Sequence, residues 1–547
     1  MAVLQTRDPA NRYIVGVDVG TGSARAGVFD PAGRMIGAAK TDIALYRETG
    51  AIAEQSSAEI WAAVCRSVRS AVAQAAVDPS AISGIGFDAT CSLVVLGQNG
   101  TSLPVGSSGN PSRDIIVWMD HRAVAQAERI NAIGHDVLKY VGGVISPEME
   151  TPKLLWLHEN RPETFAAAWQ FFDLADYLTW RATGSLARST CTLTCKWTYL
   201  AHEARWDPSY FHAIGLGTLA DEGFSRIGTE VVAPGTALGH GLTDQAAADL
   251  GLLAGTPVGA GLIDAHAGGI GTVGAMGAVG NPTECLAYVF GTSSCTMTTT
   301  RDPVFVPGVW GPYFSAMVPG AWLVEGGQSA AGAAIDHLLS LHPGATEAAR
   351  LAKAASQSLP VWLANTAASK AADASSVVRL AGGLHVVPEF LGNRAPFADP
   401  HARAIIAGLD METGIDSLLA LYVAGLCSIG YGLRQIVETQ AAQGAPIRRI
   451  MISGGAGQQN LVRQILADAT GIPVVATEAD EPVLLGSAIL GAVAGQVFPD
   501  MQTAMAAMSR PSQTFTPADG AIKSLHDARF RAFGLLQDTA RTIRLMA

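Results

Sequence analysis

Two short turns, Gly20-Thr21-Gly22-Ser23 and Gly291-Thr292-Ser293-Ser294, carry residue types that could hold a polyphosphate. Glycine lets the backbone come close to an anion, and such a turn aims N–H groups and hydroxyls at one point. Either turn alone reads better as an ordinary hairpin; two at matching places form opposing jaws. Asp18 lies two residues before the first turn, in a stretch otherwise made of Ile, Val and Gly, where an unpartnered carboxylate is costly. A metal ion would satisfy it, and capping of its own turn is the alternative. Asp264 is the sole acid between Asp249 and Glu284. A carboxylate placed there could take a hydroxyl proton while that oxygen attacks phosphorus, worth roughly 10²- to 10⁴-fold in rate. Its bland alternative is a helix cap. Further along, Ser453-Gly454-Gly455-Ala456-Gly457-Gln458-Gln459-Asn460 follows a strand pattern and opens a helix pattern, which suits close approach to a nucleotide. The chain contains no Walker-type Gly-x-x-x-x-Gly-Lys-Ser/Thr run. With no His-x-x-x-His pair, His121 and His266 read as packing or orienting groups.

The elements that must position these residues have a repeated order. Strands are expected over 13–19, 24–29 and 35–39 as an antiparallel meander. A helix follows, opened by the capping-box pattern Ser56-Ser57-Ala58-Glu59 and apolar at Ile60, Val64, Val68 and Val72. An apolar strand returns at 82–87, with another at 93–96. The second turn again sits between two strand patterns, 286–290 and 295–299. After it come a helical region 415–442, strand 449–452, helix 460–470, strand 474–476 and a helix from Pro482. The chain reads as two similar α/β halves. Residues 344–376 read as an inserted helical subregion, and the segment after Phe498 as an appended helix.

Composition excludes several classes. The 547 residues are 49% hydrophobic and 15% charged, so the chain can bury a large core, and its length calls for more than one domain. Net charge is −11, with no Lys/Arg block, which leaves nucleic acid without an electrostatic handle. The uncharged-looking stretch 303–324 holds Pro303, Pro307, Pro312 and Pro319, so no membrane-spanning segment is expected. The first eight residues lack the pattern of a secretory signal, and a cytoplasmic location is expected. Seven cysteines without Cys-x-x-Cys spacing read as buried small hydrophobes.

Several separated motifs, in order, give the chain a resemblance to the FGGY family of carbohydrate kinases, and within it to the pentulose kinases of the D-ribulose kinase type. They are Gly16-Val17-Asp18-Val19-Gly20-Thr21-Gly22-Ser23-Ala24-Arg25, Trp118-Met119-Asp120-His121-Arg122-Ala123, Pro152-Lys153-Leu154-Leu155-Trp156-Leu157, Cys195-Lys196-Trp197, Ile263-Asp264-Ala265-His266, Gly291-Thr292-Ser293-Ser294, Glu325-Gly326-Gly327-Gln328-Ser329-Ala330, Gly392-Asn393-Arg394-Ala395-Pro396 and Ser453-Gly454-Gly455. The resemblance implies an α/β fold of two actin-like (RNase H-like) ATPase lobes around a central cleft. On that reading residues 1–282 form the sugar-binding lobe with the catalytic base, 283–495 the nucleotide-binding lobe, and 496–547 an appended helical segment. It implies ATP and Mg²⁺ as cofactors, Asp264 as catalytic base and Asp18 with Asp264 as the metal acids. Ala89, Trp118, Lys196, Asp264 and Glu325 become the sugar contacts. Gly20, Thr21, Ser23, Gly291, Thr292 and Ser293 become phosphate contacts, and Gly454, Gly455, Gln458 and Asn460 line adenine and ribose. The expected partners are a small sugar and ATP, with a homodimer possible, and the expected substrate is D-ribulose, with L-ribulose, ribitol or D-xylulose as substitutes. Glu150, near Lys153, stands where the family has a small residue, and the helix from Ile415 lacks the customary His-rich start. An actin-like nucleotide switch or a silent sugar-binding regulator are the competing classes; the acids and Lys196 argue against the first, the intact phosphate turns against the second.

Overall fold

In strand Tyr13–Val19, Ile14, Val15, Val17 and Val19 are fully buried together with Gly16 and Asp18, the pattern of a strand covered on both faces. The computed structural model describes residues 12–48, 52–276 and 282–546. The reading of residues 1–8 as lacking a secretory pattern lies outside them. This strand is the centre of a five-stranded sheet. On one side it pairs antiparallel with Ser23–Phe29, which pairs with Met35–Asp42; on the other it runs parallel to Ile82–Ala89, followed by Val258–Ile263.

The second half repeats the plan. Cys285–Phe290 pairs antiparallel with Ser294–Thr300, which pairs with Trp322–Gln328, while Arg449–Ser453 and Val474–Thr477 run parallel on the other side. Two edge strands complete this seven-stranded sheet, Trp310–Phe314 and Pro511–Phe515. The latter corrects the reading of 496–547 as purely helical. Helix Met501–Met508 packs on the first lobe, strand Pro511–Phe515 then joins the second lobe's sheet, and helix Gly520–Met546 follows. Ser509 anchors the crossing by donating to the Gly271 carbonyl at 2.7 Å.

The crossover helices occupy corresponding places. Ser57–Ala75 buries Ile60, Val64, Val68 and Val72 as expected. Ser56 caps it through Glu59 N–H, but the Glu59 carboxylate goes to the Tyr46 hydroxyl (2.8 Å), so half of the capping box forms. Ile415–Ala442 is the counterpart, and by length and composition it could cross a membrane. Its most apolar window is 72% buried inside the protein, against Ile335, Leu338 and Ala469. The inserted region is helical, over Ala345–Ala354 and Leu359–Lys370.

The lobes meet along a seam of small residues. Helix Pro482–Ala494 of the second lobe lies on the first lobe's sheet, and a Cβ added at Gly16, Gly86 or Gly84 would sit 2.2, 2.0 or 2.1 Å from the carbonyl oxygens of Leu484, Ser487 and Gly491. The same helix crosses Asp264–Val273 where Gly271 meets the Pro482 carbonyl and Gly486 that of Ala267. Backbones this close need glycine on one side.

Candidate active site

The C-terminal ends of the first lobe's parallel strands open into a cavity of about 270 Å³ between the lobes. That is near the roughly 300 Å³ lower limit of small-molecule pockets. The first lobe contributes Asp18, Gly20, Thr21, Arg25, Trp118, Glu148, Lys196 and Asp264 to its wall; the second contributes Ser293, Cys295, Trp310, Glu325 and Arg394. Four of the five residues assigned to the sugar therefore converge. Ala89 does not: its side chain packs in the core with Val15, Val17 and Phe87, and the next two residues, Thr90 and Cys91, form the wall. Strand alternation turns position 89 inward and frees the residues that leave the sheet.

Asp264 opens helix Asp264–Val273, and its Oδ1 accepts the Ala265 N–H at 2.7 Å. Burial and the nearby Asp18 charge push its carboxyl up to about 6. Asp18 faces Arg25 across the antiparallel ladder and Asp88 across the parallel one. Arg25 pairs with Asp18 and, at 2.7 Å, with Glu481 of the second lobe. Asp88 is fully buried against Ser487, whose single hydroxyl proton also faces the Val17 carbonyl at 3.0 Å. Burial and the Asp18 charge push the Asp88 carboxyl well up, against the lowering effect of the Ser487 hydroxyl.

Lys196 ends helix Thr190–Lys196 with its Nζ 5.1 Å from the centre of the Trp310 ring, and among the described residues no carboxylate lies within ion-pair distance of it. Burial disfavours the ammonium, yet its neighbours, Cys91 and Glu325 first among them, outweigh that and push Lys196 up. The Arg394 guanidinium lies 5.5 Å from the same ring. Trp118 Nε1 donates to Thr21 Oγ1 at 2.9 Å, linking the sugar side of the cavity to the first turn. Arg122 of that motif is structural, buried between Asp120 (2.7 Å) and Glu54 (2.9 Å). Glu150, the departure from the family pattern, is the buried partner of Lys153 at 3.4 Å.

The two turns differ by one residue. Gly20 N–H donates to Ser23 O, whereas Gly291 N–H donates to Ser293 O, and Ser294 already pairs with Phe290. Ser294 is buried on Gln328, leaving Ser293 on the cavity. The second turn is docked on helix Gly332–Ser340: Gly332 N–H donates to Gly291 O (3.0 Å) and Ala331 N–H to Thr292 O (2.9 Å). Gly454 has φ +92°, and a Cβ there would lie 2.4 Å from Phe290 O, so this turn stands beside the Gly291 turn. Gln458 follows it, and Asn460 Oδ1 accepts from Arg463 at 3.2 Å. These four residues lie outside the wall of the acid-lined cavity.

Sequence reasoning assigned no role to Thr90, Cys91, Glu148, Cys295 or Trp310. Arg25 and Arg394 carried a signal, since both sit inside quoted motifs. Glu148 carried none; it reaches the cavity through its pairing with His121 at 3.4 Å.

Residues 13–271 match the family described as "FGGY family of carbohydrate kinases, N-terminal domain", and residues 286–495 its C-terminal domain. An FGGY carbohydrate kinase domain-containing protein of Homo sapiens is 46% identical over 530 residues, 95% of each chain. A D-ribulokinase of Saccharomyces cerevisiae is 40% identical over 90% of this chain and 73% of its own. Among solved structures, a xylulose kinase from Rhodospirillum rubrum superposes with a TM-score of 0.80 at 21% identity, covering 97% of this chain and 99% of that one, a likeness of fold.

Proposed function

The chain belongs to the FGGY family of carbohydrate kinases, a family of phosphotransferases, and on that premise we propose that it transfers the γ-phosphoryl group of ATP to the terminal hydroxyl of a pentulose, D-ribulose giving D-ribulose 5-phosphate. The observation that carries this reading is the meeting of Asp264, Lys196 and Glu325 in one small cavity beside the Gly20 turn. The relative that names the substrate is the Saccharomyces cerevisiae D-ribulokinase. L-Ribulose, ribitol and D-xylulose remain the substitutes, because a few side chains set hydroxyl stereochemistry.

In this reading Lys196 and Glu325 bind sugar oxygens, Trp118 walls the sugar, and Asp264 takes the hydroxyl proton as the oxygen attacks phosphorus. The Gly20 and Gly291 turns hold phosphates, and the Gly454 turn holds the nucleoside. Asp18 and Asp264 face one cavity, and the Asp18 charge raises the cost of ionising Asp264, a donor set that a divalent cation would relieve. Magnesium there would offset charge on the phosphates. A coupled assay of ADP release over a panel of pentuloses and pentitols is expected to give the highest kcat/KM with D-ribulose; activity confined to other sugars would refute the substrate.

The Asp264 carboxyl supplies a pH test. A base must be ionised, so kcat/KM for the sugar should be level above pH 7 and fall about tenfold per pH unit below about 6, the position to which Asp264 is pushed. A profile flat down to pH 4.5 would remove Asp264 from the role of base.

A further inference from the structure

Beneath Glu325 lies a chain of buried groups that none of the proposed steps uses. His266, two residues after Asp264 on the same helix, is 1% exposed. Its Nε2 lies 3.2 Å from Glu325 Oε2, and its Nδ1 lies 3.0 Å from Cys191 Sγ. Cys191 is fully buried on helix Thr190–Lys196, which ends in Lys196, and its sulfur also accepts the Ile263 N–H at 3.4 Å. One imidazole thus ties together three pieces of the cavity: the strand bearing Glu325, the helix bearing Lys196 and the helix opened by Asp264.

We propose that His266, anchored by Cys191, is a positioning residue that fixes Glu325 for the sugar. With Oε2 held by His266, the carboxylate cannot rotate, and Oε1 is the atom left for a sugar hydroxyl. A fixed, ionised acceptor binds a hydroxyl more tightly than a mobile one, since the ordering is complete before the ligand arrives. The charges agree: burial works against the Glu325 carboxylate, but the His266 hydrogen bond and charge outweigh it and hold it down at about 2. Cys195 lies close to both Cys191 and His266, and their ligand atoms lie within 4.8 Å of one another, the spacing of a metal site. The direct 3.0 Å contact between His266 and Cys191 instead makes a hydrogen-bonded relay that is satisfied as it stands.

The inference rests on the sugar-binding role proposed for Glu325, and the experiment separates the two. Steady-state kinetics of the full chain with the best pentulose would compare wild type with His266→Ala, Cys191→Val and Cys191→Ser. His266→Ala should raise the sugar KM about 10-fold or more, about 1.4 kcal/mol, with the ATP KM unchanged and kcat moving far less. Cys191→Val, which stays apolar and cannot bond the ring, should shift the sugar KM in the same direction by a smaller factor, and Cys191→Ser should restore it because a hydroxyl still bonds the ring. An unchanged sugar KM in Cys191→Val, or a Ser variant as impaired as the Val one, overturns the relay. So does a parallel loss in both KM values and thermal midpoint, the signature of a merely structural role. Stoichiometric zinc lost on Cys191→Val would replace the relay with a metal site. A wild type inactive on every pentulose and pentitol overturns the proposed substrate first and this inference with it.

Discussion

Asp264→Asn should lower kcat for sugar phosphorylation by about 10²-fold or more while ATP affinity, with Asp18 and the phosphate turns intact, falls far less, since the amide keeps the shape of the side chain but cannot take the proton. The contact it makes with its own helix is not at stake. Oδ1 accepts the Ala265 N–H at 2.7 Å, and Asn accepts there as well as Asp. A residue serving only as that acceptor would therefore tolerate the change, and an active Asp264→Asn enzyme would end the assignment. Asp18→Asn gives the contrast. Asp18 pairs with Arg25, which pairs with Glu481 of the other lobe, so its loss should weaken Mg-ATP binding and turnover together. Single-turnover phosphorylation combined with calorimetric titration of ATP separates the two patterns.

Gly86→Val should cost about 3 kcal/mol or more of stability, because the new Cβ would lie 2.0 Å from the Ser487 carbonyl and 2.9 Å from the Gly491 N, with no flexible side chain to yield. Strand and helix must separate, and they belong to different lobes. The displaced strand also carries Asp88, which bonds Ser487, and it pairs with the strand of Asp18, so activity should fall along with the unfolding midpoint. Gly534→Ala is the control: it lies in the C-terminal helix with nothing within 4 Å of an added Cβ, and should be neutral or slightly stabilising. Urea unfolding of both variants against wild type reads the difference; equal midpoints for Gly86→Val and wild type would mean the seam is looser than described.

The sequence by itself was enough for whatever depends on neighbours along the chain. A short apolar run placed the strand at 13–19 and helical spacing the helices at 415–442 and 460–470, because a strand covered on both faces is apolar at nearly every position while burial of one helix face repeats about every 3.6 residues. The two Gly-Thr turns revealed the repeated plan for the same reason: a tight turn is dictated by a few adjacent residues. The acids at 18 and 264 stood out because a charge within an apolar run needs a partner wherever it ends up. What that partner is depends on distant chain. Asp18 meets Arg25 and, through it, Glu481; Glu325 meets His266 and, through it, Cys191. Ala89 faces the core and cedes the cavity to Thr90 and Cys91, and Ser294 enters a strand because the second turn closes one residue sooner than the first. Pro511–Phe515, four of whose five residues are exposed, carries no hydrophobic pattern and becomes a strand because the open edge of Val474–Thr477 offers unpaired backbone groups. These outcomes were decided by tertiary structure, since contacts between separate elements of the chain leave no period in the sequence.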